Sequence, residues 1–322
     1  MAYRVVFTDH TFDELDVERE IMADLDAELV DGEQSDEPNE TLAAGADALL
    51  VMFDRVDAAL MDAMPDCRII SRTGIGLDNV DVEAATERGI LVTNVPDYCI
   101  PEVSDHAMAL VLALARKVVE YDDQVGSGGW DVAEGRVMHR LETRTMGLIA
   151  FGNIARAVCE KARGFGMDVI AHDPFLSEEA IREGGAEPVD ELDDLLGRAD
   201  VVSVHTPLTP ETEGMLDAAA FETMKESAFV VNVARGGIID EEALAAALDD
   251  GEIAGAGIDV LADEPPRDDN PLLGRDDVIL TPHAAWHSAE SVIELREKAA
   301  LNVRDALTGS VPTYLVNTEL TE

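Results

Sequence analysis

At 322 residues, 47% of them hydrophobic, the chain is long enough for two domains of ordinary size and too apolar to be a disordered polyanion. Its 68 acidic residues against 23 basic ones give a net charge of -45, which argues against nucleic acid or anionic membranes as direct partners. The acids are spread along the whole chain and only four basic residues are lysine (Lys117, Lys161, Lys225, Lys298), so neither an acidic tail nor a metal-buffering domain fits. Molar salt shortens the Debye length to about 3 Å and would remove most of the self-repulsion, so a salt-requiring, halophilic protein is expected.

Short apolar strands over 3–8, 48–53 and 68–72 alternate with helical patterns over 17–25 and 58–64, which predicts a parallel sheet with helices on both faces. The polar segment 31–40, with Pro38, reads as a loop. In Thr73-Gly-Ile-Gly-Leu-Asp-Asn-Val-Asp81 two glycines allow either a nest of amides for a carboxylate or a plain strand-to-helix turn. A strand over 90–95 leads through Asn94-Val-Pro-Asp97 to one long helix, from Pro101 to about residue 121, apolar along Val103, Ala107, Leu110, Val111 and Leu114. Gly126-Ser-Gly-Gly-Trp130 reads as a flexible crossing, followed by an exposed stretch to Arg140 without a readable period.

Residues 144–175 read as a βαβ unit: a strand over 146–151, a turn at Gly152, an amphipathic helix over 156–165 and a strand over 168–171 closed by His172-Asp173-Pro174. Asp173 lies 21 residues beyond Gly152, close to the spacing of a dinucleotide fingerprint. A pyrophosphate needs a backbone without a side chain and helix amides aimed at its charge, and a ribose needs a carboxylate acceptor. Gly152, the amides of Asn153 and Ile154, and Asp173 fill those roles. Only the central glycine of G-x-G-x-x-G survives in Ala150-Phe-Gly152-Asn-Ile-Ala155. Alanine is cheap at the third position, but at the first it must fit a tight turn. Many strand-glycine-helix units bind no nucleotide, so this stretch alone leaves the question open. A carboxylate at 173 repels a 2′-phosphate and favours NAD, with NADP the alternative in a salt-screened site.

The rhythm continues with a helix over 192–196, a strand over 200–205, the rigid loop Thr206-Pro-Leu-Thr-Pro-Glu-Thr212 and a strand over 228–234. Arg235-Gly-Gly-Ile-Ile-Asp240 then opens a helix over 241–248, before strands over 255–259 and 278–281 that flank a proline-broken loop. A last helix over 288–307 would bring the tail back to the first domain. Arg235, Glu264 and His283 thus stand at the ends of three successive strands, where open parallel sheets collect ligands, as a plausible acid–base set. Each has a plainer reading: a helix cap, one acid among many, a structural histidine. His283 and His287 as a metal pair are set aside because Ala284 stands where a zinc-protease pattern has glutamate, and no metal is expected. Cys67, Cys99 and Cys159 suggest neither a disulfide framework nor a zinc cluster, and with no apolar run of membrane length they point to a reducing, cytoplasmic setting.

Val231-Asn-Val-Ala-Arg-Gly-Gly-Ile-Ile-Asp240, Asp259-Val-Leu-Ala-Asp-Glu-Pro265 and Thr281-Pro-His-Ala-Ala-Trp286 resemble the three signature blocks of the D-isomer-specific 2-hydroxyacid dehydrogenases. Arg72-Thr-Gly-Ile-Gly-Leu-Asp-Asn-Val-Asp81 and Asn94-Val-Pro96 are similar to that family's substrate-domain motifs. Within it, His283-Ala-Ala-Trp286 and Pro101-Glu-Val-Ser-Asp-His106 resemble the branch that contains the C-terminal-binding proteins, with Asp105 where glutamate is usual. The resemblance implies an α/β fold of two Rossmann/flavodoxin-like parallel-sheet domains with a cleft between them. Residues 1–98 plus 289–322 would bind substrate and 99–288 the dinucleotide.

It also implies a mechanism. Arg235 would clamp the carboxylate of a small 2-oxo acid, with the Ile75 and Gly76 amides opposite. His283 would give its proton to the keto oxygen as NADH reduces C2, Glu264 would hold the imidazole in the right tautomer, and Trp286 would cover the substrate side chain or else pack in the core. Asp259 would take the nicotinamide amide. Ser104, Phe151, His205, Thr206, Pro207 and Thr212 would join Val233, Ala234, His283 and Ala285 along the cofactor. A homodimer through the nucleotide domain, burying the Pro101 helix against a twin, is expected. The alternatives are a dinucleotide-sensing, corepressor-like binding protein and a short-form D-3-phosphoglycerate dehydrogenase. Formate-type hydride donation needs no acid and fits the Glu264–His283 pair poorly.

Overall fold

A computed structural model describes residues 2–35, 37–132 and 137–321 and divides the chain into two compact units, Met1–Tyr98 with Ser288–Glu322, and Cys99–His287. Part of the exposed stretch expected after Trp130, residues 133–136, lies outside the described residues.

In the first unit, β1 (Tyr3–Phe7), β2 (Ala27–Asp31), β3 (Ala48–Val51), β4 (Ile69–Arg72) and β5 (Leu91–Thr93) form one parallel sheet in the order β2-β1-β3-β4-β5. β3 and β4 are buried at every residue, which is why β3 reads as an unbroken apolar run rather than as alternation. The crossovers carry α1 (Asp16–Ile21), α2 (Asn39–Leu42), α3 (Ala58–Asp62) and α4 (Val82–Glu87). The Asp57 and Asp81 carboxylates accept the first amides of α3 and α4 and so fix where each begins.

The expected loop over 31–40 is corrected: Asp31 ends β2, a 3-10 turn spans Gly32–Gln34, and α2 follows. β2 lies on the sheet's edge, where Glu28 breaks the apolar pattern in solvent while the Asp31 side chain, 10% exposed, pairs with His10 at 3.0 Å. The C-terminal helix Ala289–Thr308 packs on β3 and β4 and binds α1 through Arg296, which donates to Glu18 at 2.6 and 2.8 Å. Ser288, counted above with the second domain, belongs to the first unit because it caps this helix and shares a capping box with Ser291.

The second unit holds a seven-stranded parallel sheet made of β6 (Thr145–Ile149), β7 (Asp168–His172), β8 (Glu187–Pro188), β9 (Val201–Val204), β10 (Phe229–Asn232), β11 (Gly255–Ile258) and β12 (Val278–Leu280). Their order, β12-β11-β10-β9-β6-β7-β8, reverses direction between β6 and β9. Among the described residues the unit's α-helices are α5 (Ile100–Arg116), α6 (Val118–Gly126), α7 (Asn153–Gly164), α8 (Glu178–Glu183), α9 (Leu192–Arg198), α10 (Ala218–Thr223) and α11 (Glu241–Asp250).

The single long helix expected from Pro101 is corrected to two. Lys117 adopts a left-handed backbone, φ 53°, and α6 then runs on through Gly126 into the segment read as a flexible crossing. The apolar face of α5 is consumed inside its own unit. Leu110 and Leu114 lie against Gly255 and Gly257 of β11, where a side chain on the strand would meet them. That face is therefore covered within the unit, whereas α6 buries no residue and exposes Val118, Val119 and Val125. None of the described helices is long and apolar enough to cross a membrane.

Asp200, just before β9, ties the sheet's N-terminal edge together. Its carboxylate accepts from the Thr145 amide at 2.9 Å, Arg144 at 2.6 Å and Lys225 at 3.1 Å. Burial opposes its ionisation, but these donors outweigh burial and hold it below the ordinary carboxylate range. A carboxyl whose folded-state pKa is depressed stabilises the fold above its unfolded value, about 4, and loses that contribution as pH falls through the folded one. Asp200→Asn should cost about 3 kcal/mol at neutral pH and flatten the acid limb of stability. Denaturant melts across pH in molar KCl check this, and a variant as stable and as acid-sensitive as the parent would refute it.

Candidate active site

Because every strand of the second unit is parallel, the C-terminal ends of β6, β7 and β9 to β12 share one edge, and the switch point between β6 and β9 opens there. Gly152 follows β6 and is the N-cap of α7, with no side chain capping the helix. A Cβ added to it would meet nothing within 4 Å. The fold itself therefore does not demand glycine at this position. Open space before the uncapped amides of Asn153 and Ile154 fits a pyrophosphate.

Asp173 follows β7 and accepts the Phe151 amide on one oxygen and the Phe175 amide on the other, each at 2.9 Å, which leaves each oxygen a lone pair for a ribose hydroxyl. The two departures from the glycine pattern have different costs. Ala155 is buried where α7 meets the sheet, but Ala150 stands in the left-handed region at φ 66°, a conformation that disfavours a side chain.

Several residues expected along the cofactor are otherwise engaged. Ser104 is fully buried, donates to the Ile100 carbonyl at 2.6 Å and accepts from Lys161 at 2.5 Å, which ties α5 to α7. The Phe151 ring is buried beneath the Arg156 guanidinium, 4.7 Å from its centroid, and its amide is taken by Asp173. The Thr212 hydroxyl closes its own loop, donating to the Pro207 carbonyl at 2.7 Å and accepting the Thr209 amide at 2.8 Å. His205 and Ser203 share a 2.9 Å hydrogen bond, and burial pushes the imidazole down to about 4, so it is neutral at neutral pH. Val233 is buried and the Ala234 amide donates to Asn232 Oδ1, while Thr206 and Pro207 reach the surface after β9.

Arg235, Glu264 and His283 follow β10, β11 and β12. The Gly236 Cα lies so close to the Leu261 carbonyl that a Cβ would overlap it, which is why the arginine is followed by glycine. The Glu264 loop has no regular structure and is pinned by Glu241, which accepts the Ala262 amide at 2.7 Å and the Asn270 side chain at 2.6 Å. Glu264 accepts the Leu261 amide at 2.9 Å and lies 2.7 Å from His283 Nδ1. Burial resists its ionisation, but the bond and charge of His283, the Leu261 amide and the Arg235 guanidinium together lower its pKa below the ordinary range. With Glu264 ionised, Nδ1 carries a proton.

His283 itself has a left-handed backbone, φ 51°. The loop is held by Asp259, which is 1% exposed and accepts from the Thr281 hydroxyl at 2.5 Å and from the Ala284 and Ala285 amides at 2.9 Å each. These three donors leave one acceptor position on Oδ2, the oxygen that takes only the Ala285 amide. Trp286 is half-buried, its ring edge-on to His287 at 5.3 Å. In the first unit, Asn94 donates to the Ile75 carbonyl at 2.7 Å, and Gly74, φ 151°, leaves the space filled by the buried Arg72 guanidinium beside Ile75 and Gly76. Glu241 and Thr281 were missed as site residues. Thr281 opens one of the recognisable blocks and Glu241 directly follows another, but an acid opening a helix and a threonine before proline are unremarkable alone.

Replacing Ala150 with glycine should relieve the left-handed strain and raise stability by about 0.5 kcal/mol, the relief exceeding the entropic cost of glycine. A lower melting temperature, or weakened NADH binding by fluorescence titration, would refute this account of the turn.

The model of the D-isomer specific 2-hydroxyacid dehydrogenase NAD-binding domain matches residues 108–285. A glyoxylate reductase of Korarchaeum cryptofilum is 41% identical over 278 residues, 85% of this chain and 83% of that protein. A D-3-phosphoglycerate dehydrogenase of Archaeoglobus fulgidus is 42% identical over 241 residues, 75% of this chain but 45% of that protein, so the chain spans about half the length of such relatives. The crystal structure of a D-lactate dehydrogenase from Aquifex aeolicus, complexed with NAD and lactic acid, superposes with a TM-score of 0.88 at 28% identity, covering 97% of this chain and 98% of that one.

Proposed function

We propose, from the premise that this chain belongs to the D-isomer-specific 2-hydroxyacid dehydrogenase family, that it reduces a small 2-oxo acid of the glyoxylate type to the corresponding 2-hydroxy acid. Membership makes it an NAD-binding oxidoreductase acting on a CH–OH group. The observation that carries the finer reading is the 2.7 Å bond between Glu264 and His283 Nδ1, at the strand ends where Arg235 also stands.

The dinucleotide supplies hydride to C2 when bound. Gly152 and the Asn153 and Ile154 amides would hold its pyrophosphate, and Asp173 its ribose. Arg235 binds the substrate carboxylate and draws charge toward the keto oxygen. His283 delivers the Nε2 proton to that oxygen, and Glu264 balances the imidazolium charge before transfer and fixes the tautomer after it. Trp286 is the residue assigned to the substrate side chain. The carboxylate at 173 favours NAD over NADP.

The test is loss of NADH absorbance in molar KCl with glyoxylate, pyruvate, hydroxypyruvate and 3-phosphohydroxypyruvate. Turnover of the phosphorylated acid alone would favour a phosphoglycerate dehydrogenase, and none with any acid would favour a cofactor-sensing binding protein. Arg235→Ala should lower kcat/KM at least about a hundredfold while leaving NADH affinity within about twofold. Loss of both would mean the guanidinium serves the cofactor instead.

The proposed working form is a homodimer in the reducing cytoplasm of a halophile. Its interface is assigned to α6 and the segment after it, where Val118, Val119, Val125, Trp130 and Val132 are exposed on an otherwise acidic chain. Val119→Asp combined with Trp130→Asp should give a monomer by light scattering in molar KCl. The parent should lose both the dimer and its melting temperature as KCl is withdrawn, and a salt-indifferent monomer would overturn both assignments.

A further inference from the structure

His106 stands on α5, 177 residues before His283, and belongs to no part of the acid–base set described above. Its Nε2 lies 2.9 Å from the Thr281 hydroxyl and 3.5 Å from Asp259 Oδ1. The Thr281 hydroxyl has a single proton and gives it to Asp259 at 2.5 Å. The bond with His106 therefore has one sense: Nε2–H donates and the hydroxyl accepts. Asp259 in turn accepts the amides of Ala284 and Ala285, and the His283 amide donates to the Asp259 carbonyl at 2.8 Å. A chain of hydrogen bonds thus runs from an imidazole on a helix, through a hydroxyl and a buried carboxylate, into the backbone on both sides of His283. That backbone is held at φ 51°, a conformation uncommon for any residue other than glycine.

We propose that His106 is a positioning residue for His283: by donating to Thr281 it orients the Asp259 carboxylate, which holds the left-handed loop so that His283 Nδ1 meets Glu264. This rests on the proposed dehydrogenase reading for its purpose but not for its geometry. The charged and titratable groups facing the network are Asp259 for His106, and Glu264 with Arg235 behind it for His283. Releasing the loop would let the imidazole rotate away from Glu264, and small displacements of a reacting group cost rate steeply.

Two variants separate donation from bulk. His106→Leu fills the space without a donor, and His106→Gln returns an N–H donor at similar reach. In 15N-histidine-labelled protein, with His283 assigned by its loss in His283→Gln, ring nitrogen shifts should show the neutral His283 ring protonated on Nδ1. In His106→Leu the other tautomer should appear. The same variant should lose about tenfold to a hundredfold in kcat while NADH affinity stays within about twofold. His106→Gln should restore both tautomer and rate. Thr281→Val breaks the next link and should reproduce His106→Leu, which keeps the test open if the leucine variant fails to fold.

An unchanged His283 tautomer in His106→Leu and Thr281→Val would overturn the proposal, as would a His106→Gln that loses as much as the leucine variant. The nitrogen shifts need no turnover. A parent protein that reduces no 2-oxo acid sinks the functional reading and leaves the positioning result standing, whereas an unchanged tautomer in an active enzyme does the reverse.

Discussion

One buried carboxylate organises the chemistry-bearing end of the second unit. Asp259 directly follows β11, is almost wholly removed from solvent, and accepts a hydroxyl and two amides that all belong to the stretch after β12. An ionised carboxylate away from water is tolerable only when its lone pairs are filled. Here the donors come from the loop that must be fixed, so satisfying the charge and shaping the loop are the same event. The Glu264 loop is held in a similar way by Glu241, from the first turn of α11. Two irregular loops thereby acquire the rigidity that a strand or helix would have given them, and two acids that touch no substrate set the geometry of those that would.

Much of this was legible before any coordinates. β3, β4, β6, β9 and β10 are short apolar runs ended by turn residues, and the helices between them follow from period and spacing. Arg235, Glu264 and His283 could be placed at strand ends because the strands were clear. What was hidden depends on three-dimensional partners. Lys117 reads as one more helical residue, and only the structure gives it a left-handed backbone between α5 and α6. Ser104 reads as a cleft hydroxyl, but Lys161 of α7 claims it. β2, α8 and α10 were missed because edge strands and one- or two-turn helices with charged or alanine-rich sequences carry too little periodicity to stand out.

The excess of acid has an internal counterpart. Each of the four lysines meets a carboxylate: Lys117 with Glu120, Lys161 with Asp105, Lys225 with Asp200 and Lys298 with Asp97. Arg296 is likewise committed to the buried Glu18, and Arg275 to Asp249 and Asp277. Cations in short supply are thus spent at joints between elements, while surplus acids face solvent. Salt acts unequally on the two populations, screening repulsion between exposed charges far more than attraction within sheltered pairs.

The outermost strand beside β7 is only Glu187–Pro188. Proline has no amide hydrogen to offer, and a two-residue edge gives an incoming backbone almost nothing to zip onto. At the opposite margin β12 is three residues long and runs out into Pro282, and in the first unit the tail bridges Leu315 to Thr93 alongside β5. In dilute buffer, mutual repulsion between such anionic molecules would keep these margins apart unaided. In brine that protection vanishes, and resistance to runaway sheet-on-sheet polymerisation falls to the backbone itself, through blunt, proline-stopped or tail-covered borders that no ion can screen.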